Sequence, residues 1–262
     1  MKIVVCIKQV PDTNEVRLDP KTGTLIREGV PSIINPDDKA GLEAALEIKD
    51  RNEDVEVVVL TMGPQQDDED LREALAMGAD EGILLTDRKF GGADTWATSS
   101  TLAAAIEAIP DVDLIITGRQ AIDGDTAQVG PQIAEHLGIP NVSYAEDVKL
   151  DGDYVIVKRQ FEDRYHIVKV KMPCLITCLG EMNEPRYMTP GGVINAYRNG
   201  NIKTWTRDDV TIDDSNIGLK GSPTQVFKSF PKALKQPGTV FELDPQESAE
   251  KVVEKLQEKF II

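Results

Sequence analysis

Gly118-Arg119-Gln120-Ala121-Ile122-Asp123-Gly124-Asp125-Thr126-Ala127-Gln128-Val129-Gly130-Pro131 is the stretch on which the fold turns. Ahead of it, Asp113-Leu114-Ile115-Ile116-Thr117 is a short apolar run of the kind that forms a buried strand. Behind it, Pro131 to Gly138 has apolar residues at Ile133, Ala134 and Leu137 and ends on glycine, where helices commonly stop. Strand, polar glycine-containing turn and helix, in that order, put the turn at the end of an open α/β sheet, where such folds bind ligands. Glycine lets backbone come close to a ligand, and the amides at a helix start favour phosphate.

Outward from this turn, the preceding residues alternate between strand and helix. Lys2 to Val10 is a β-rich run ended by Pro11-Asp12 and predicts the first strand of a parallel sheet. Val16 to Asp19 and Thr24 to Arg27 flank Pro20-Lys21-Thr22-Gly23, which predicts a small hairpin before the first helix. Asn35-Pro36-Asp37-Asp38 offers side-chain oxygens to helix amides, and Leu42, Ala45 and Leu46 follow at helical spacing. Val55 to Met62 reads as a central strand closed by Gly63-Pro64. Asp67 to Met77 reads as a helix with an acidic start, favourable to its dipole. Gly82 to Thr86 is a further strand; after Phe90-Gly91-Gly92-Ala93-Asp94-Thr95 an Ala-rich helix runs to Ile109. The alternation predicts an α/β fold, a parallel sheet with helices on both faces.

Beyond the turn the pattern changes. Glu146 to Leu150, Tyr154 to Gln160 and Tyr165 to Lys171 alternate apolar with charged residues, predicting an antiparallel meander over about 143–171 with a solvated face. Pro173 to Leu179 returns to a buried strand. Residues 190–240 are poor in periodic apolar signal, which predicts an extended segment ordered on a partner. Pro245 to Ile262 predicts an amphipathic helix with Val252, Val253, Leu256 and Phe260 on one face. The organisation expected is one α/β domain over 1–190, the meander included, and an extended C-terminal arm over 191–262.

Bulk properties narrow the function. A net charge of −16 over 262 residues argues against a general binder of nucleic acid, which most of the surface would repel. No apolar run approaches the length of a membrane helix and the N-terminus enters a strand directly, so membrane insertion is not expected and a cytoplasmic location is. Three cysteines and two histidines leave little for a disulfide framework or a metal site. Cys174 and Cys178, four apart on a strand, lie about 13 Å from each other, so they read as buried structural thiols. His136 and His166 read as surface or packing residues.

Residues 120–130 resemble the nucleotide loop of the β subunit of electron transfer flavoprotein. Val5-Cys6-Ile7-Lys8-Gln9-Val10, Asn35-Pro36, Ala74 to Asp80 and Asn183-Glu184-Pro185-Arg186-Tyr187 fall in the order that family has them, so the resemblance spans about residues 1–190. It implies a Rossmann-like, adenine-nucleotide-binding sheet and an α-subunit partner carrying a mobile FAD. Ordinary members hold a structural AMP in the β subunit; electron-bifurcating members hold a second FAD there that receives hydride from NADH. This chain resembles the bifurcating kind. It has Gly124 where ordinary members tend to carry a third acid, and it has the segment Phe90 to Thr98 that they usually lack. Both features make room for more than AMP.

The family's nucleotide contacts carry over to Cys6, Asn35, Asp37, Met62, Gln120, Ala121, Ile122, Asp123, Gly124, Asp125, Thr126, Gln128, Val129 and Gly130. Amides around Thr126 and Gln128 would hold phosphates, and Asp123 or Asp125 would bond to ribose or orient the loop. Helix capping is the plainer alternative for these acids. Phe90, Gly91, Gly92, Asp94, Thr95 and Thr98 would line the flavin side, with a plain helix start as the alternative. No catalytic side chain and no metal ligand is assigned, because the cofactor supplies the chemistry.

The resemblance further implies a flavin-dependent dehydrogenase of acyl-CoA or lactate type as partner, and ferredoxin or flavodoxin as second acceptor, within an NADH-dependent oxidoreductase complex. Asn183 to Pro190 matches the dehydrogenase-recognition segment. Partner-docking members place Leu where Pro190 stands, so Met188 or Met182 would have to supply the apolar anchor, or the segment is an exposed turn. An ordinary AMP-holding carrier subunit and a non-redox nucleotide-binding module are the alternatives.

Overall fold

A computed structural model describes residues 1–12, 31–224, 226–227 and 238–262. The hairpin expected over 16–27 lies outside them. The first strand breaks into β1 (Lys2–Ile7) and β2 (Gln9–Pro11), and β2 pairs antiparallel with β3 (Ser32–Ile34). Then follow α1 (Pro36–Asp50), β4 (Glu56–Met62), α2 (Asp68–Met77), β5 (Glu81–Leu85), α3 (Thr95–Glu107), β6 (Leu114–Gly118) and α4 (Val129–Leu137). The antiparallel addition consists of β7 (Asn141–Asp151), β8 (Tyr154–Phe161) and β9 (Arg164–Lys171), before β10 (Cys174–Cys178).

These strands form one nine-stranded sheet in the order β11-β5-β4-β1-β6-β10-β7-β8-β9, where β11 is Ile202–Trp205. From β11 through β7 every neighbouring pair is parallel; β8 and β9 run antiparallel at one end. Burial follows this division. β1, β4, β6 and β10 are covered on both faces and are almost entirely buried, as parallel strands between helices must be. β9 is exposed along most of its length, and among the described residues no strand pairs with its outer edge. One apolar layer joins the sheet to α1 and α2 through Leu42, Leu46, Leu71 and Met77. The opposite layer joins it to α3 and α4 through Leu102, Ile106 and Ile133.

Two expectations are corrected. The segment after 190 is not wholly an extended arm. α5 (Pro190–Asn199) packs on α2, and β11 extends the parallel sheet beside β5, with Ile202 opposite Gly82 and Trp205 opposite Leu85. Four residues are too short to show a period, so the strand was invisible in the sequence. Pro190-Gly191-Gly192 is likewise the first turn of α5 and not a free turn. The Thr189 hydroxyl accepts from the Gly192 amide at 2.9 Å and Pro190 takes the first helical position, where its missing N–H costs nothing. Further on come the single turn α6 (Gly218–Gly221) and α7 (Pro245–Glu258), which contains no buried residue. Among the described residues no helix is long and apolar enough to cross a membrane.

Candidate functional site: the nucleotide crevice

The chain runs from β1 outward through β4 to β5, then returns by α3 to β6 on the other side of β1. Strand order therefore reverses between β1 and β6, and the crevice at their C-terminal ends is where an open α/β sheet accepts a ligand. Every predicted nucleotide or flavin residue belongs to an element or loop that meets this edge. Cys6 is on β1, Asn35 and Asp37 start α1, Met62 ends β4, Phe90 to Thr98 follow β5, and Gln120 to Gly130 follow β6.

The start of α1 is a clip on three strand ends. Asn35 Nδ2 donates to the Gln120 carbonyl at 2.8 Å, and Asn35 Oδ1 accepts from the Ile122 amide at 3.0 Å. Asp38, which sequence reasoning passed over, accepts from the Gly118 and Lys8 amides, both at 2.9 Å. Asp37 accepts from the Gly180 amide at 2.9 Å and lies 3.4 Å from Arg119 Nε. One helical turn thus ties the ends of β1, β6 and β10 to the ligand loop. The only hint in the sequence was the run Asn-Pro-Asp-Asp, which local rules assign to capping; Asn35 in fact makes no capping bond. Burial pushes the Asp38 carboxyl up to about 7 against the hydrogen bonds from Asn35, Gly118 and Lys8, with Asp37 adding repulsion. Burial likewise raises Asp37, and Arg119 pulls it back.

Within the loop the acids serve two ends. Asp123 forms an ion pair with Lys8 Nζ at 2.6 Å, and Asp125 Oδ1 accepts from Gln120 Nε2 at 2.9 Å. Asp125 and Ala127 adopt positive φ of 52° and 51°, which turns the chain sharply before α4. Among the described residues no side chain caps the α4 N-terminus, so its first amides keep their donors for another acceptor. A Cβ on Gly130 would come within 2.6 Å of Thr117 Oγ1 and 2.8 Å of Thr177 Cγ2; the glycine seats α4 directly on β6 and β10. At Gly124 a Cβ would meet no described atom within 4 Å.

The flavin-side candidates divide. Thr95 Oγ1 donates to Gln128 Oε1 at 3.0 Å, which brings the two predicted segments together. Thr98 is half-buried in the first turn of α3. Phe90 is buried in the core layer, and Met62 packs against the same layer. The glycine turn receives protein: a Cβ on Gly92, whose φ is +74°, would lie 3.3 Å from Leu219 Cβ. Asp94 caps α3 by accepting from the Ala97 amide at 3.0 Å. Cys6 is buried and its thiol is pushed up to about 12, first by burial and then by Asp38, so it can offer a ligand backbone but no thiolate. Cys174 and Cys178 are buried with raised thiols, as structural cysteines are. His136 packs edge-on against Trp96 at 4.8 Å, with the Ser99 and Ser100 hydroxyls at 3.1 and 3.2 Å. A broad depression of about 620 Å³ lies at the other end of the strands, lined by Glu53, Asp54 and Asp113 among others, away from this chemistry.

Asn183 to Pro190 is held by Arg186. Its guanidinium bonds Glu43 at 2.9 Å and Asp50 at 2.8 Å, and its amide donates to Glu43 at 3.0 Å. Met182 packs against the core, whereas Tyr187 and Met188 are exposed.

The model of the electron transfer flavoprotein domain matches residues 22–210. Over the full length of both proteins the chain is 57% identical to the caffeyl-CoA reductase-Etf complex subunit CarD of Acetobacterium woodii. It is also 57% identical, again over both full lengths, to the electron transfer flavoprotein subunit beta of Clostridium acetobutylicum. The acryloyl-CoA reductase electron transfer subunit gamma of Anaerotignum propionicum is 47% identical over 100% of each chain.

Proposed function

The chain belongs to the electron transfer flavoprotein family, resembling its β subunits, and on that premise we propose that it is the β subunit of an electron-bifurcating member. The crevice would hold FAD. The observation that carries this reading is the loop itself: an uncapped helix start for phosphate, beside a residue, Gly124, whose Cβ would face open space. Adenine nucleotide needs the first feature; the second leaves room beyond it.

The residues fit such a group. Amides at the start of α4 would take the phosphates. Lys8, paired with Asp123, brings a cation to the mouth of the crevice in a chain of net charge −16. Asn35 and Asp38 hold the loop's backbone, so the donors are in place before the ligand arrives. Bound FAD supplies the redox chemistry: two electrons taken as hydride from NADH and released singly, towards the α-subunit flavin and towards ferredoxin or flavodoxin. The exposed Tyr187-Met188 pair, projected by the Arg186 anchor, offers the apolar contact for a flavin-dependent dehydrogenase of acyl-CoA or lactate type. The names of the caffeyl-CoA and acryloyl-CoA reductase relatives favour the acyl-CoA type.

The second reading, favoured by Asp123 and Asp125 remaining in the loop, is structural AMP in an ordinary carrier. Acid extraction of the chain purified with its α subunit separates the readings. About two FAD per heterodimer is expected; one FAD with one AMP selects the second reading, and recovery of neither in the β site returns the chain to a non-redox nucleotide module.

A further inference from the structure

Residues 218–224, within the C-terminal arm expected over 191–262, lie across the turn between β5 and α3. The Leu219 amide donates to the Gly91 carbonyl at 3.1 Å, and a Cβ on Gly218 would run into the Lys89 carbonyl. Asp94 is gripped from the same side. Its amide donates to Ser222 Oγ at 2.8 Å, and its Oδ2 accepts from both the Thr224 amide at 2.9 Å and the Thr224 hydroxyl at 2.7 Å. Its other oxygen accepts from the Ala97 amide at the start of α3. The next residue, Thr95, is the one that reaches Gln128 in the nucleotide loop.

A continuous chain of bonds therefore runs from the arm to the ligand site: Thr224, Asp94, the first turn of α3, Thr95, Gln128. Burial of Asp94 works against its charge, but the Ala97 amide and the Thr224 hydroxyl and amide outweigh it and hold the carboxyl below the usual range. The bonds are thus charge-assisted and strong for their exposure, and the anion also sits favourably at a helix N-terminus.

We propose that Asp94 and Thr224 form a latch through which the C-terminal arm positions Thr95 against Gln128 and so sets the ligand-ready form of the nucleotide loop. This rests on the nucleotide reading of residues 118–131. Asp94 is then a positioning residue, turned towards the arm. The arm's anchorage contributes to cofactor affinity from a residue, Thr224, that belongs to neither the loop nor the core.

The test is titration of the full chain with AMP and separately with FAD by calorimetry, alongside the melting temperature of the ligand-free protein. Thr224→Val removes the hydroxyl and is expected to weaken both ligands roughly 3- to 30-fold, the range for residues that act through a network. Thr224→Ser keeps the hydroxyl and is expected to bind like the wild type; Asp94→Asn is expected to match or exceed the Val loss. Unchanged affinity in Thr224→Val overturns the latch, and so does a fall in melting temperature without loss of affinity, or a Ser variant as weak as the Val variant. A wild-type chain that binds neither AMP nor FAD overturns the nucleotide reading itself, and the latch with it.

Discussion

Gly118 shows how closely the α1 clip grips the ligand loop. A Cβ there would lie 2.2 Å from Asp38 Oδ1 and 2.8 Å from Asp38 N, so Gly118→Ala is expected to destabilise the chain by about 1–3 kcal/mol. A shifted denaturation midpoint at unchanged slope checks this. Gly124 is the opposite case. With no described atom within 4 Å of its Cβ, Gly124→Asp should leave the melting temperature in place while lowering FAD recovered from the β site. Unchanged flavin stoichiometry would refute the argument from room and charge. Asp38 adds a pH dependence. Because burial raises its carboxyl to about 7, the folded chain binds this proton more tightly than the unfolded chain. That stability is present below the ordinary carboxylate range and is lost as pH rises through about 7. Asp38→Asn cannot ionise, and its NH₂ would confront the Gly118 or Lys8 amide, so it should lower stability at the acid end, where the wild-type carboxyl is neutral. It should also flatten the fall between about pH 4 and 7; melting curves of both proteins across that window decide it. The loop was legible in the sequence because glycines and acids between a strand and a helix form a local pattern. Asp38 was not, because its partners lie 30 and 80 positions away.

At the scale of elements, the parallel strands and the helices described through residue 178 follow the sequence reading to within a few positions, whereas the antiparallel β2–β3 pair was not read, since hydrophobic period reports how each segment's own faces are buried. The meander was also legible, although β7 turned out to be shared: it pairs in parallel with β10 and antiparallel with β8. The segment after β10 shows where period fails. Asn183 to Thr189 has no regular structure, and Arg186 is expected to be its anchor. Arg186→Gln leaves Glu43, a buried carboxylate, short of its cation, and should cost about 2–3 kcal/mol of stability. Weakened association with a dehydrogenase partner should accompany it, read by pull-down, because Tyr187 and Met188 would lose their fixed base. A fully stable variant would contradict the anchoring role.

For the whole molecule, among the described residues neither apolar layer on the sheet contains a residue of the terminal helix. α7 leaves Val252 and Val253 exposed, with Phe241, Phe260, Ile261 and Ile262 exposed nearby in sequence. Such a run of exposed apolar side chains is what a partner's surface would cover, and the α subunit is the expected occupant. Val252→Asp combined with Val253→Asp is expected to leave the melting temperature of the isolated chain within about 2 °C, since both positions are exposed and exposed substitutions away from the core shift stability little. The same variant should reduce co-purification with the α subunit. A large fall in melting temperature would mean that α7 packs on its own chain.

The sequence by itself determined the α/β alternation, the ligand-bearing turn at residues 118–131, and through its resemblance the family. These are carried by neighbours in the chain: periodicity, turn chemistry and motif order all act over a few residues. Only the tertiary structure decided that Asp37 and Asp38 tie strand ends to the ligand loop, that Ile202–Trp205 extends the sheet, and that Gly92 and Asp94 meet residues 218–224. Each of those facts is a contact between segments far apart in sequence, and what closes such a contact is the packing of the whole sheet.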